Sequence, residues 1–243
     1  VSSPPSLDIS CSLYRHKLQG EGRNPLLIEA DPLSFCESLL EYLPQRRASP
    51  WSLQWKEKQS TCYREKTPPP FPGEEGVIEA MSCHLKEEVA CFIGNSLPIR
   101  AAQATYAPSR PLGPLFGNRG LSGIDGNIST AIGISQARKG PVALFIGDLT
   151  FLHDLNALAA LSSSPYPLLL LVYNNGGGAI FSRLPIAESP HPWKPYFMTP
   201  HTFLFAQAAS LFHLDYQEIS DREALNAAIS SWGSHHLMLE IKA

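Results

Sequence analysis

The sequence has little of what marks several common classes of protein. Its five cysteines are widely spaced and form no Cys-x-x-Cys pair, which argues against a zinc site or a disulfide framework and fits a reducing compartment. The 19 basic and 22 acidic residues leave a net charge of −3, so there is no electrostatic case for binding nucleic acid or an anionic membrane. No apolar run reaches the roughly 18 to 20 residues that a membrane span needs.

The start of the chain lacks two further features. Residues 1–10, VSSPPSLDIS, contain neither an initiator Met nor the pattern of a signal peptide. We therefore expect this start to be an internal position of a longer protein.

A regular alternation of strand and helix patterns begins at residue 73. Strands separated by helices of about 10 to 15 residues predict an α/β fold, a doubly wound parallel sheet with helices on both faces. The predicted strands are 90–95, one ending at 116, 142–146, 167–173, 216–219 and 236–241. The predicted helices are 74–87, one from 96, 123–138, 152–161, 202–212 and 221–232, with a long Pro-rich loop over 184–200.

The first 72 residues carry a weaker pattern. Leu26–Ala30 predicts a short strand and Asp31–Leu43 a helix that opens on Asp-Pro, while Thr67–Gly73, TPPPFPG, has the composition of a linker. One strand and one helix cannot form a core of their own. We expect residues 1–72 to be the end of a preceding domain plus a connector, and residues 73–243 to be the main domain.

The centre of the main domain is a strand–helix–strand unit with polar residues at both strand ends. Gly147 and Asp148 follow the first apolar strand, and Asn174 and Asn175 follow the second, about 26 residues later. A right-handed crossover brings both ends to one edge of a parallel sheet, where α/β folds bind ligands. Asp148 and the two asparagines are therefore expected to converge.

The residue types at this point suit a metal and a phosphate. A carboxylate, a carboxamide oxygen and the carbonyls of a Gly-rich turn are oxygen ligands that Mg²⁺ prefers, and glycines let the backbone approach a phosphate closely. The alternative is that Asp148 merely caps a helix and that Asn174–Gly178 is only a turn. The paired spacing favours the metal–diphosphate interpretation.

Four sequence motifs resemble those of thiamine-diphosphate enzymes. They are GNSLPIR (Gly94–Arg100), GNRGLSGIDG (Gly117–Gly126), GDLTFLHDLNAL (Gly147–Leu158) and NNGGGAIFSRLP (Asn174–Pro185). The Gly-Asp and Asn-Asn pair is typical of the whole family. The second and fourth motifs resemble those of one subfamily, the MenD-type synthases of 2-succinyl-5-enolpyruvyl-6-hydroxy-3-cyclohexene-1-carboxylate (SEPHCHC). The likeness extends from about residue 73 to the end.

The resemblance implies an activity and its partners. It implies a transferase of menaquinone or phylloquinone biosynthesis that decarboxylates 2-oxoglutarate on thiamine diphosphate, with Mg²⁺ or Mn²⁺, and adds the succinyl carbanion equivalent to isochorismate. It also implies a homodimer or homotetramer at full length, in the cytoplasm, or in a plastid if the source is a plant or alga. The activating glutamate of such enzymes lies on a separate pyrimidine-binding domain. We therefore expect this polypeptide alone to be inactive.

The resemblance also implies roles for individual residues, none of them catalytic. The implied metal ligands are the side chains of Asp148 and Asn175 and the carbonyl of Gly177. The implied cofactor-binding residues are Asn118, Gly123, Ile124, Gly147, Asp148, Leu149, Asn175, Gly177 and Gly178. The implied substrate-binding residues are Ser96, Arg100, Arg119, Ile180, Phe181 and Leu184.

Two residues depart from the subfamily pattern. Gly176 stands where a third Asn is usual, and Arg183 stands where an apolar residue is common.

Two other functions stay open. One alternative is another thiamine-diphosphate decarboxylase or carboligase, such as an acetolactate-synthase-like or oxalyl-CoA-decarboxylase-like enzyme. The other is a non-catalytic homologous subunit, although the intact Asp148 and Asn175 argue against degeneration.

Overall fold

The computed structural model describes residues 9–12, 26–45, 49–64, 69–105 and 112–243. The chain divides into two units, residues 1–61 and 62–243. The domain boundary expected after residue 72 stays a prediction. No helix in the described ranges is long and apolar enough to cross a membrane.

The first unit contains a short parallel strand pair. Strand β1 (Ile9–Ser12) pairs with β2 (Leu26–Glu29), and helix α1 (Pro32–Tyr42) follows. Asp31 begins α1 as predicted, because its Oδ1 atom accepts a hydrogen bond of 3.0 Å from the Ser34 backbone N–H. Strand β1 was not predicted, since its four residues carry too short a pattern. No residue of α1 is buried.

The second unit is built on six parallel strands. They are β3 (Ala90–Ile93), β4 (Leu115–Phe116), β5 (Val142–Gly147), β6 (Leu168–Asn174), β7 (Asp215–Ile219) and β8 (Leu237–Lys242). Their order across the sheet is β4-β3-β5-β6-β8-β7, and every neighbouring pair is parallel. The prediction of a doubly wound parallel sheet is confirmed.

Helices cover both faces of this sheet. They are α3 (Glu74–His84), α4 (Leu97–Thr105), α5 (Asn127–Arg138), α6 (Asp148–His153), α7 (Lys194–Phe197), α8 (Phe205–Leu211) and α9 (Arg222–Ser231), and helix α2 (Pro50–Arg64) precedes them. Successive residues of β5 alternate between two clusters: Phe145 packs with residues of α3 and α9, and Leu144 with residues of α5 and α8. Strands buried on both sides explain the continuous apolar runs in the sequence.

Three predicted segments differ from the structure. The helix predicted over 123–138 begins only at Asn127, because Gly126 takes a φ of 70° in the left-handed region. The loop predicted over 184–200 contains a 3₁₀ turn (Pro185–Glu188) and helix α7. The helix predicted over 152–161 is two pieces, α6 and a 3₁₀ segment (Leu155–Ser163).

The break after α6 has a tertiary cause. The carboxylate of Asp154 accepts hydrogen bonds from the backbone N–H of Ser129, at 2.7 Å, and from its hydroxyl, at 2.9 Å. Asp154 therefore holds the first turn of α5 and has a φ of −126°, outside the helical range. The apolar spacing of this segment fits either kind of helix, so the sequence pattern does not reveal the break.

The strand order places a crevice at the carboxyl ends of β3 and β5. These two strands are neighbours, yet the chain proceeds from β3 to β4 on one side and from β5 to β6 on the other. Connections that diverge in this way leave an opening outside the strand ends, which is where doubly wound folds bind ligands.

Candidate cofactor and metal site

Asp148 joins the ends of two strands at this crevice. It follows β5 directly and is 2% exposed. Its Oδ2 atom accepts hydrogen bonds from the backbone N–H of Asn175, at 3.1 Å, and of Gly177, at 2.8 Å, and its Oδ1 atom accepts one from Leu149, at 2.6 Å. The N-cap of α6 is Gly147, so Asp148 is not the helix cap of the alternative interpretation. The strand ends meet, as the crossover argument predicts.

The loop after β6 presents an oxygen atom that lacks a partner. The Oδ1 atom of Asn175 is buried and makes no hydrogen bond to any described residue. An unpaired buried acceptor costs about 1–3 kcal/mol, so it marks a position for a cation or a donor. Gly177 in the same loop has a φ of 143°, and a Cβ there would overlap the carbonyl oxygen of Met198. This position therefore requires glycine.

Asn174 has a different role from Asn175. Its Oδ1 atom accepts a hydrogen bond of 3.1 Å from the Gly176 backbone N–H, and its Nδ2 atom donates one of 2.6 Å to Glu240. Glu240 is 2% exposed and accepts a second bond of 2.5 Å from the hydroxyl of Tyr216. Burial and this bond to Glu240 raise the pKa of Tyr216. Asn174 thus connects the loop to a buried polar network on β7 and β8.

Asn95, directly after β3, organises the neighbouring loop. It is 2% exposed, and its Nδ2 atom donates to the carbonyls of Asn118, at 2.9 Å, and Gly123, at 2.6 Å. Its Oδ1 atom accepts a bond of 2.6 Å from the Arg119 guanidinium. One buried amide therefore fixes three of the residues implied by the resemblance.

A cleft opens beside Asp148 at the carboxyl ends of the strands, the position at which α/β sheets bind small molecules. Ten predicted site residues line it: Ser96, Ile124, Gly147, Asp148, Leu149, Asn175, Gly177, Gly178, Ile180 and Phe181. Glu74, Leu97, Pro98, Thr150, Tyr173 and Ala179 complete the wall. Most of this wall is apolar, and Asp148 and Asn175 contribute oxygen atoms to it.

The remaining predicted residues lie outside the cleft wall. Asn118 donates from Nδ2 to the hydroxyl of Thr130, at 3.1 Å. The exposed Arg100 donates a 2.7 Å hydrogen bond to the Ser96 carbonyl, and Ser96 itself has a φ of 72° rather than the extended conformation usual for a helix cap. Leu184 is 45% exposed. Arg100 therefore contacts the cleft only through the backbone of Ser96.

Glu74 is a buried carboxyl in the cleft wall that the sequence did not indicate. It is 6% exposed, and burial raises its pKa. The guanidinium of Arg183 lies 3.9 Å from its Oε2 atom. Burial, together with the charge of Glu74, also raises the pKa of Tyr173 to about 12. Arg183, one of the two departures from the subfamily pattern, is therefore the counter-charge of a buried acid.

A family model covers more than half of the chain and fits this geometry. Residues 93–239 match the family described as thiamine pyrophosphate enzyme, C-terminal TPP binding domain. The chain belongs to the thiamine pyrophosphate enzyme family. The match includes β5, β6 and the loop that carries Asn175, and it supports thiamine diphosphate as the cofactor of this domain.

Curated relatives of this family member confirm the subfamily resemblance. A 2-succinyl-5-enolpyruvyl-6-hydroxy-3-cyclohexene-1-carboxylate synthase of Roseiflexus sp. is 40% identical over 207 residues, which are 83% of this chain and 35% of that protein. The synthase of Salinibacter ruber is 45% identical over 152 residues, 63% of this chain and 25% of that protein. The chain therefore spans about a third or less of the length of these relatives.

Solved structures agree on the fold of this thiamine pyrophosphate enzyme domain. A benzoylformate decarboxylase from Polynucleobacter necessarius superposes with a TM-score of 0.59 at 13% identity, covering 73% of this chain and 34% of that one. At that identity the likeness shows the fold alone. The α/β thiamine-diphosphate-binding fold predicted from the sequence is confirmed.

Proposed function

We propose that this chain is the diphosphate- and metal-binding portion of a SEPHCHC synthase. The observation that carries the proposal is the junction of Asp148 with the loop of Asn175 and Gly177, found in a chain 40% identical to such a synthase. The whole enzyme would decarboxylate 2-oxoglutarate and transfer the succinyl unit to isochorismate, in menaquinone or phylloquinone biosynthesis.

The residues at the junction suit Mg²⁺ or Mn²⁺. Asp148 offers a carboxylate, Asn175 a buried oxygen without a partner and Gly177 a backbone carbonyl, all of them oxygen donors. The described part of the chain holds no cluster of three His, Cys, Asp or Glu residues, which is consistent with a site completed by amide and carbonyl oxygens. The cation would bind the diphosphate to this strand edge.

The apolar wall of the cleft suits the rest of the cofactor. Bound thiamine diphosphate supplies the electron sink for decarboxylation. Ile124 and Leu149 line the wall and would hold its rings away from water. The chain's own contribution is thus binding, orientation and exclusion of solvent.

The substrates would meet cationic groups near the cleft and apolar groups in its wall. Both 2-oxoglutarate and isochorismate carry carboxylates, which guanidinium groups bind well. Arg100 and Arg119 are exposed, and a guanidinium has five N–H donors, so each can bind a carboxylate beyond the bond it makes here. Ile180 and Phe181 would form the apolar side.

The activating glutamate would lie on a pyrimidine-binding domain outside this chain, in a homodimer or homotetramer of the whole protein. The chain spans about a third of the Roseiflexus synthase. We therefore propose that this polypeptide binds the cofactor without turnover. Formation of product from 2-oxoglutarate and isochorismate by this polypeptide alone would contradict that part of the proposal.

Calorimetric titration of thiamine diphosphate and Mg²⁺ into the chain tests the site. Binding should be lost in Asp148→Ala and kept in Asp215→Ala, which removes an exposed carboxylate from edge strand β7. Equal binding by both variants would contradict the metal site. The whole protein tests the reaction. If the unaltered whole protein forms no SEPHCHC from 2-oxoglutarate and isochorismate but turns over another substrate, and Asp148→Ala abolishes that turnover, another activity of the family would be favoured.

A further inference from the structure

His201 is a buried histidine beside the proposed metal ligand. Its side chain is 5% exposed, and its Nε2 atom lies 3.2 Å from Oδ2 of Asp148. The alignment falls outside hydrogen-bond geometry, and Nε2 has no other partner among the described residues. A buried ring nitrogen without a partner, directed at a buried carboxylate, is a costly arrangement unless the two groups act together.

The backbone around His201 is fixed to the loop that follows β6. The Gly178 N–H donates a 2.6 Å hydrogen bond to the Met198 carbonyl, and the His201 N–H donates one of 3.3 Å to the Gly176 carbonyl. The Met198 carbonyl is also the atom that a side chain at Gly177 would overlap. Two backbone hydrogen bonds therefore hold the segment 198–201 against the Gly-rich turn, and the side chain of His201 lies beside Asp148.

The contacts of the ring determine its tautomer. The Nδ1 atom of His201 accepts a hydrogen bond from the Phe203 N–H, at 3.4 Å. In a neutral imidazole the other nitrogen then carries the proton, so Nε2–H faces Asp148. The ring stacks on Phe203 and Phe205, with centroid distances of 5.4 and 5.7 Å.

We propose that His201 is a positioning residue for Asp148: its Nε2–H holds Oδ2, the oxygen that already accepts the Asn175 and Gly177 N–H groups. This inference rests on the proposed metal site. A third donor beside the two backbone N–H groups on Oδ2 would further restrict rotation of the carboxylate. Oδ1, which accepts the Leu149 N–H, would then keep one orientation in which it can bind a cation. Groups that orient a metal ligand in this way change metal affinity by about 10- to 100-fold when they are removed.

Two substitutions separate this role from simple packing. His201→Phe keeps a ring against Phe203 and Phe205 but removes the N–H donor. His201→Gln removes the ring and keeps an N–H donor. His191→Phe, at an exposed histidine of the preceding loop, is the matched control.

The affinity for Mn²⁺ at saturating thiamine diphosphate is measured by calorimetry on the chain. His201→Phe should weaken Mn²⁺ binding about 10-fold or more, His201→Gln should restore most of it, and the control should match the unaltered chain. Unchanged affinity in His201→Phe, or equal weakening in both His201 variants, would overturn the proposal.

A second measurement is independent of the cofactor. Long-range ¹H–¹⁵N spectra of the ligand-free chain should show His201 as the Nε2–H tautomer, and Asp148→Ala should shift its ring nitrogens. An Nδ1–H tautomer, or no response to Asp148→Ala, would overturn the role of His201. If these spectra agree while the unaltered chain binds neither Mn²⁺ nor thiamine diphosphate, the proposed function fails and the contact between His201 and Asp148 stands.

Discussion

The Gly-rich turn allows a sharp test because two adjacent glycines differ in their surroundings. Gly176 and Gly177 both have positive φ angles, 76° and 143°. A Cβ at Gly176 would meet nothing within 4 Å, whereas a Cβ at Gly177 would overlap the Met198 carbonyl oxygen. Gly176→Ala should therefore lower the free energy of unfolding only by the cost of a left-handed backbone at alanine, about 1–2 kcal/mol.

Gly177→Ala adds a steric cost to the backbone cost. Overpacking typically costs about 1–3 kcal/mol, so the total should be about 2–5 kcal/mol. Since 1 kcal/mol shifts the Tm of a domain of 150–250 residues by about 2–4 °C, Gly177→Ala should lower Tm by roughly 4–20 °C. It should also weaken cofactor binding, because the Gly177 N–H donates to Asp148.

Thermal unfolding of both variants, followed by circular dichroism, provides the comparison. Gly176→Ala is the matched control, and Gly176→Asn should be milder still because Asn tolerates the left-handed region. Equal Tm values for the two alanine variants would refute the role assigned to the Met198 carbonyl.

Two further predictions concern buried ionisable groups. Because burial raises the pKa of Glu74 above its usual 4.5, the folded state binds more protons than the unfolded state above that pH, and stability falls as pH rises through the raised pKa. Glu74→Gln should gain Tm relative to the unaltered chain from about pH 4.5 to pH 7, and parallel Tm curves would contradict this. Tyr216→Phe leaves Glu240 without its 2.5 Å hydrogen bond and should cost about 1–3 kcal/mol in urea unfolding. Tyr196→Phe, at a residue 77% exposed, should cost nothing measurable, and an equal loss in both would argue against the network.

The sheet was predictable because each strand carries its own signal. The runs that form β5 and β6 are apolar without interruption, and all their residues from 142 to 146 and from 168 to 173 are buried. The meeting of Asp148 with the loop of Asn175 was predictable for the same reason, since the residues after neighbouring parallel strands lie at the same edge of the sheet. Local order along the chain was enough for these elements.

The parts that were not predicted depend on contacts between distant segments. Helix α6 ends where Asp154 bonds to Ser129, and no local residue pattern signals that bond. Glu74 lies in the first turn of α3, where an acidic residue is ordinary, and its place in the cleft wall depends on segments far away in the sequence. His201 reaches Asp148 through a loop whose course is set by hydrogen bonds to the Gly-rich turn.

The two asparagines of the Asn-Asn pair differ in their hydrogen bonds. Asn174 uses both ends of its amide within the protein, on Gly176 and Glu240, whereas Asn175 leaves its Oδ1 atom free. Gly176 is held through its own N–H by Asn174 and has open space where a side chain would lie. The usual third Asn can therefore be absent here without releasing Asp148 from the loop, because the N–H groups of Asn175 and Gly177, on either side of position 176, both donate to the Asp148 carboxylate.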